Sequence, residues 1–100
     1  MAVHIAQGFA YQQNDWWKWW VWIDGPANEL DLIDHVVYIL DPTFPSPVRT
    51  VKDRKSQFRL DAAGWGEFRI YAKVVHKDGK ETHLEHDLVL EYPDGTRTTA

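Results

Sequence analysis

Two short segments of this chain carry the side chains best suited to wall a binding cleft. Leu40-Asp41-Pro42-Thr43-Phe44-Pro45-Ser46-Pro47 sets the Thr43 hydroxyl next to the Phe44 ring, with Asp41 two positions before the hydroxyl. Gly64-Trp65-Gly66-Glu67-Phe68 presents an indole between two glycines. Proline lacks the donor a central strand needs, and glycine lets the backbone bend, so both segments read as loops. Each loop sets an aromatic ring beside a small or hydroxyl-bearing residue and lies against a strand-like run that can hold it still, which is how a binding cleft between loops is built. The candidate binding residues are therefore Asp41, Thr43, Phe44, Gly64, Trp65 and Gly66. Blander readings stay open at this level: Phe44 as a core plug under its loop, the two glycines as makers of a turn only, and Asp41 as the cap of an Asp-Pro turn.

The elements that must position these loops are strands. From Glu67 to His76, Phe68, Ile70, Ala72 and Val74 alternate with Glu67, Arg69, Tyr71 and Lys73, the period-two pattern of a half-buried strand. Lys77-Asp78-Gly79-Lys80 is an Asp-Gly hairpin turn, and Glu81 to Glu91 repeats the alternation with Thr82, Leu84, His86, Leu88 and Leu90 on one face. Earlier strands are expected at Val3 to Gln12, Trp16 to Ile23, Leu32 to Leu40, Val48 to Lys52 and Gln57 to Asp61. Leu30 to Leu40 has an amphipathic pattern that a helix would also satisfy, but Val36-Val37-Tyr38-Ile39 is β-branched and aromatic and favours a strand. Seven or eight short strands at this spacing predict an all-β, immunoglobulin-like antiparallel sandwich, with the two loops at one end.

Five tryptophans fall between positions 16 and 22. On a strand, Trp17 and Trp19 share a face with Val21 and Ile23, while Trp16, Trp20 and Trp22 share the other with Lys18. One face is core. Three indoles on the other exceed what a monomer usually exposes. Either long side chains such as Tyr71 and Lys73, or the segment around Tyr11, cover them, or they form a flat platform for sugar rings or a partner protein.

Composition bounds the rest. One hundred residues, 44% hydrophobic and 14% aromatic, make one domain with one core. The domain is expected over residues 1–92, with 93–100 a flexible tail or the start of a linker. A net charge of -4 argues against general nucleic-acid binding. The basic residues gather at Arg49, Lys52, Arg54, Lys55 and Arg59, a run usually found on a solvated loop. With no cysteine there is no disulfide framework and no thiolate metal site, which fits an intracellular location. No apolar run reaches the roughly 20 residues that span a bilayer. His83 and His86 are three apart on a strand and face opposite sides, which is wrong for a shared metal, and no nucleophile motif or phosphate-binding glycine loop occurs. No enzyme, cofactor or metal is expected.

Several of these pieces, taken in order, resemble the YEATS domain. Trp19-Trp20-Val21-Trp22-Ile23-Asp24-Gly25-Pro26 is similar to the family's early tryptophan strand. Val36 through Arg49, then Phe58-Arg59-Leu60, Gly64 through Ile70 and His86-Asp87-Leu88-Val89-Leu90 continue the likeness, which covers roughly Trp16 to Tyr92. The tryptophan-rich strand looks more like bacterial members than histone readers. The resemblance implies the same sandwich fold and a non-catalytic module that recognises an acylated lysine in a protein or peptide, within a larger protein. It also implies that Phe44 and Trp65 sandwich the acyl amide, while the Thr43 hydroxyl and the Trp65 N–H bond to it. A further family aromatic before the tryptophan strand has Asn14-Asp15 at its place, with Trp16 or Trp17 as substitutes. Eukaryotic members have a histidine where this chain has Asp41, a carboxylate that favours a cation or serves the Thr43 hydroxyl. Two functions of other classes compete: a structural adaptor domain, and a carbohydrate-binding sandwich that uses Trp16, Trp20 and Trp22.

Overall fold

The structure is a computed structural model that describes residues 2–97. Its strands are β1 (His4–Tyr11), β2 (Trp17–Asp24), β3 (Ile33–Ile39), β4 (Val48–Val51), β5 (Leu60–Gly64), β6 (Arg69–His76) and β7 (Glu81–Asp87), with one short helix, α1 (Ala27–Leu30). One sheet has the order β1-β2-β5 and the other β4-β3-β6-β7, and every pairing is antiparallel. This is the expected all-β sandwich.

The core follows from the alternation. Trp17, Trp19, Val21 and Ile23 of β2 are fully buried and oppose Val36 and Tyr38 of β3 and Ile70, Ala72 and Val74 of β6 in one cluster. At about 25 cal/mol per Å² of apolar surface, such large side chains dominate the stability. The buried Tyr38 hydroxyl donates to the Phe58 carbonyl at 2.7 Å, and burial pushes its pKa well above the ordinary tyrosine value. At the hairpin, Gly79 takes φ +89° and the Lys80 N–H donates to the Asp78 carboxylate at 3.0 Å.

The structure departs from the sequence reading in places with identifiable causes. The strand expected at Gln57 to Asp61 starts only at Leu60, because Gln57 and Phe58 both sit at φ 59°, outside the strand region. The hairpin strand expected from Glu67 starts at Arg69, since Glu67 and Phe68 turn toward the end of the sandwich. Its partner leaves the sheet after Asp87, although Leu88 and Leu90 still point into the core as expected. The one-turn helix α1, which the sequence reading did not foresee, begins after Pro26; the Asp31 N–H donates to the Ala27 carbonyl at 2.9 Å.

The outer face of the β1-β2-β5 sheet is partly covered, by the second of the two expected means, the segment leading to Tyr11. Tyr71 and Lys73 lie on β6 of the opposite sheet and cannot reach it. Instead Ala6, Gly8 and Ala10 of β1 stand opposite Trp22, Trp20 and Lys18. The Trp20 indole lies over Gly8 so closely that a Cβ there would overlap it, and the Arg59 guanidinium caps the ring at 5.1 Å. Trp20 and Trp22 end up half-buried.

From Pro93 the chain turns back on itself as far as Arg97. The Tyr92 N–H donates to the Thr96 carbonyl at 2.7 Å, and Glu91 bridges to Arg97. The remainder of the expected tail, residues 98–100, lies outside the described residues.

Candidate functional site

The β3–β4 loop is closed at its base, where the Leu40 N–H donates to the Pro47 carbonyl at 2.8 Å. Arg49 braces it from β4 by donating to the carbonyls of Ser46 at 2.6 Å and Pro45 at 2.8 Å. Within it, Asp41 Oδ1 accepts both the Thr43 N–H at 2.9 Å and the Thr43 hydroxyl at 2.7 Å. These bonds, the backbone one first, hold the Asp41 pKa below the ordinary carboxylate value. The single hydroxyl proton of Thr43 is thereby committed to Asp41, and the oxygen keeps its lone pairs for an N–H donor.

Phe44 follows, half-buried. Its ring meets Trp19 edge-on at 6.0 Å and Phe68 at 5.2 Å, so it is at once a plug on the core and a wall of the space outside. Gly64 is the last residue of β5 and lies against this ring. A Cβ there would meet Phe44 Cζ at an ordinary contact distance of 3.5 Å, and one on Gly66 would meet nothing within 4 Å. Neither glycine takes a positive φ; the positive-φ glycines are Gly79 and Gly95. Between them Trp65 is 69% exposed.

All six residues singled out from the sequence line one cleft of about 500 Å³, between the β3–β4 and β5–β6 loops. Trp16 completes its rim, 44% exposed, while Trp17 is fully buried and cannot reach it. What decides between the two indoles is the turn before β2, where Gln13, Asn14 and Asp15 take φ 77°, 56° and 56° in succession. None of the three is glycine; Asn14 and Asp15 are of the types that most often enter this region, but a run of three is unusual. Glu67 also lines the cleft and was not singled out. Its carboxylate accepts the Leu90 N–H at 2.8 Å and the Arg97 guanidinium at 3.0 Å, contacts between positions 23 and 30 residues apart.

Two of the histidines are tied into the sandwich by side-chain hydrogen bonds. His76 Nε2 lies 2.8 Å from the Thr82 hydroxyl, His86 Nε2 lies 2.6 Å from Gln7 Oε1, and His83 points away from His86 into solvent. Among the described residues no cluster of three His, Asp or Glu side chains is placed to hold a metal, and no helix is long and apolar enough to cross a membrane.

A two-sheet antiparallel sandwich with an aromatic-walled cleft between its end loops defines an immunoglobulin-like domain. A family model for the prokaryotic YEATS domain matches residues 17–89. The chain belongs to the YEATS family. It is 37% identical over 65 residues to transcription initiation factor TFIID subunit 14 of Schizosaccharomyces pombe, a match covering 64% of this chain and 26% of that protein. It is 42% identical over 59 residues to the AF-9 homolog of Saccharomyces cerevisiae, covering 56% and 25%. The matches thus span about a quarter of each curated relative. Among solved structures, the Yaf9 YEATS domain recognising an H3K122suc peptide superposes with a TM-score of 0.74 at 29% identity, over 92% of this chain and 72% of that one. The Yaf9 YEATS domain bound to H3K27ac gives 0.66 at 28% identity, over 95% and 72%.

Proposed function

We propose that this domain is a non-catalytic reader of an acylated lysine side chain in a protein or peptide, held in the cleft between Phe44 and Trp65. The observation that carries the reading is the state of Thr43. With its proton given to Asp41, the hydroxyl oxygen offers only lone pairs into a cleft walled by aromatic rings. A secondary amide suits it, because the amide donates its N–H to Thr43 while its plane stacks on the rings. An unmodified ammonium also donates, but it surrenders its hydration to a largely apolar cleft, which cation–π attraction offsets only in part.

Asp41 sets the acyl type. The Yaf9 YEATS domain has been solved with both an H3K122suc peptide and H3K27ac. In this chain the lowered Asp41 pKa keeps a negative charge at the cleft, so neutral acetyl or crotonyl groups are favoured over succinyl. The same proposal places the domain inside the cell, among other domains of a larger protein.

A sugar platform on β2 has less support, since Trp20 lies flat over Gly8 beneath Arg59. The test is a panel of acetyl-, crotonyl-, succinyl-, trimethyl- and unmodified-lysine peptides followed by NMR. Shifts centred on Thr43, Phe44 and Trp65 with neutral acyl peptides are expected. Binding of unmodified or methylated lysine alone would replace the reader with a cation site, and sugar-induced shifts along β2 would move the function to the other face.

A further inference from the structure

We propose that residues 88–97 form a strap that sets the cleft, with Tyr92 and Arg97 as its two positioning residues. The proposal rests on the reader assignment for its ligand but not for its geometry.

One wall of the cleft hangs from an improbable turn. Side chains of L residues enter the left-handed region singly and seldom in runs, yet Gln13, Asn14 and Asp15 occupy it consecutively just before Trp16. Such a conformation persists only where its surroundings over-determine it. The Gln12 N–H donates to the Trp16 carbonyl at 2.7 Å, and the Asp15 N–H donates to the Tyr11 hydroxyl at 3.3 Å. The shortest tie from outside the turn is the Tyr92 hydroxyl, which donates to Asp15 Oδ1 at 2.7 Å. Tyr92 is itself seated in a cluster of rings, 5.5 Å from Tyr11 and 4.9 Å from Trp17.

The opposite wall hangs from the same segment. Glu67, two residues after Trp65, accepts the Leu90 N–H and is gripped by Arg97 through Nε at 3.2 Å and Nη2 at 3.0 Å. The Leu88 N–H donates to the Phe68 carbonyl at 3.0 Å. Arg97 can reach Glu67 because the strap folds back: Gly95 sits at φ +89°, and Asp94 Oδ1 accepts both the N–H and the hydroxyl of Thr96. Trp16 and Trp65 are thus tied to one ten-residue segment, one through a tyrosine hydroxyl and the other through a guanidinium. A ligand that binds better with both walls held in place favours the docked strap, and by linkage the docked strap favours the ligand.

The experiment compares Tyr92→Phe, which keeps the ring and removes the hydroxyl, with Arg97→Gln and the conservative Arg97→Lys. Amide hydrogen exchange is read without ligand, and affinity is read with a crotonyl-lysine peptide. Tyr92→Phe is expected to speed exchange at Asp15 and Trp16, and Arg97→Gln at Trp65 to Glu67, while Gly79 and Lys80 at the far hairpin stay unchanged. Each should weaken the peptide by roughly three- to tenfold at an unchanged melting temperature, with Arg97→Lys recovering part of the loss. Unchanged loop exchange in both variants would overturn the strap, as would looser loops with undiminished affinity. If the unaltered domain binds no acyl-lysine peptide, the reader assignment falls, and the exchange comparison still decides the strap.

Discussion

Gln7 and Val89, 82 residues apart, exchange two hydrogen bonds: the Gln7 side-chain amide donates to the Val89 carbonyl at 2.8 Å and accepts its N–H at 2.8 Å. A glutamine side chain thus stands in for a strand, closing the gap between the edge of β1 and the segment beyond β7. The same Gln7 Oε1 accepts from His86 Nε2 at 2.6 Å, which places the ring proton on Nε2. Gln7→Leu should leave the Val89 amide unmet and cost about 1 to 3 kcal/mol, measured by denaturant unfolding. An unchanged midpoint would mean water replaces the amide fully.

His86 gives the fold a pH dependence of definite sign. Burial lowers its pKa from 6.5, so the unfolded chain takes up a proton that the folded chain resists. Its contribution is fully present above the unfolded value and shrinks as pH falls from about 6.5 toward the depressed folded pKa. His86→Gln should flatten the slope of stability against pH across that window; an equally steep slope in the variant would assign it to other groups.

Trp65→Ala should abolish peptide binding and move stability by no more than about 0.5 kcal/mol, because so exposed an indole leaves no core cavity. Trp19→Ala, by contrast, should cost about 3 to 5 kcal/mol. Thermal melts separate the two, and a large loss at Trp65 would make it structural.

Asp41→Asn keeps an acceptor for Thr43 and removes the charge. The penalty on succinyl-lysine relative to crotonyl-lysine should narrow, more at low than at moderate ionic strength, since charges beyond about 8 Å are screened at physiological salt. Titration of both peptides at two salt concentrations checks this. An unaltered gap would locate the discrimination in shape rather than charge.

At Gly8, any side chain collides with Trp20, and Gly8→Val should cost on the order of 1 to 3 kcal/mol by overpacking. Gly66→Ala, facing open space, should leave the melting temperature nearly unchanged. Calorimetry on the pair tests both.

What the sequence made legible was local. Alternation placed Trp17 and Trp19 inward and built the Asp78-Gly79 hairpin, and prolines kept Asp41 to Pro47 out of a strand. Asp41, Thr43, Phe44, Gly64, Trp65 and Gly66 could be grouped because each loop announces itself by composition, and the structure gathers them around one cleft. What stayed hidden depends on partners far away in the chain or on left-handed backbone at residues other than glycine. Gln7 with Val89, Glu67 with Arg97 and Tyr92 with Asp15 span 30 residues or more. Left-handed Gln57, Phe58 and Gln13 to Asp15 carry no glycine, so strand starts near them were misplaced and Trp16 could not be told from Trp17. The floor under Trp20 was missed for a related reason, as it consists of what Gly8 lacks.

The bridge from Gln7 to Val89 also orders events during synthesis. Phe9, Tyr11 and Trp17 wait beside a vacant edge until residues 88–92 have been made, since those residues bring Leu88, Leu90 and Tyr92 to the packing and the carbonyl of Glu91 to the Trp17 indole at 2.8 Å. Non-local contacts of this kind form late, and unpaired edges are where nascent chains associate wrongly. A chain halted before Val89 would therefore carry a complete β1-β2 hairpin with an uncovered aromatic flank, a species for chaperones to hold rather than a smaller version of the domain.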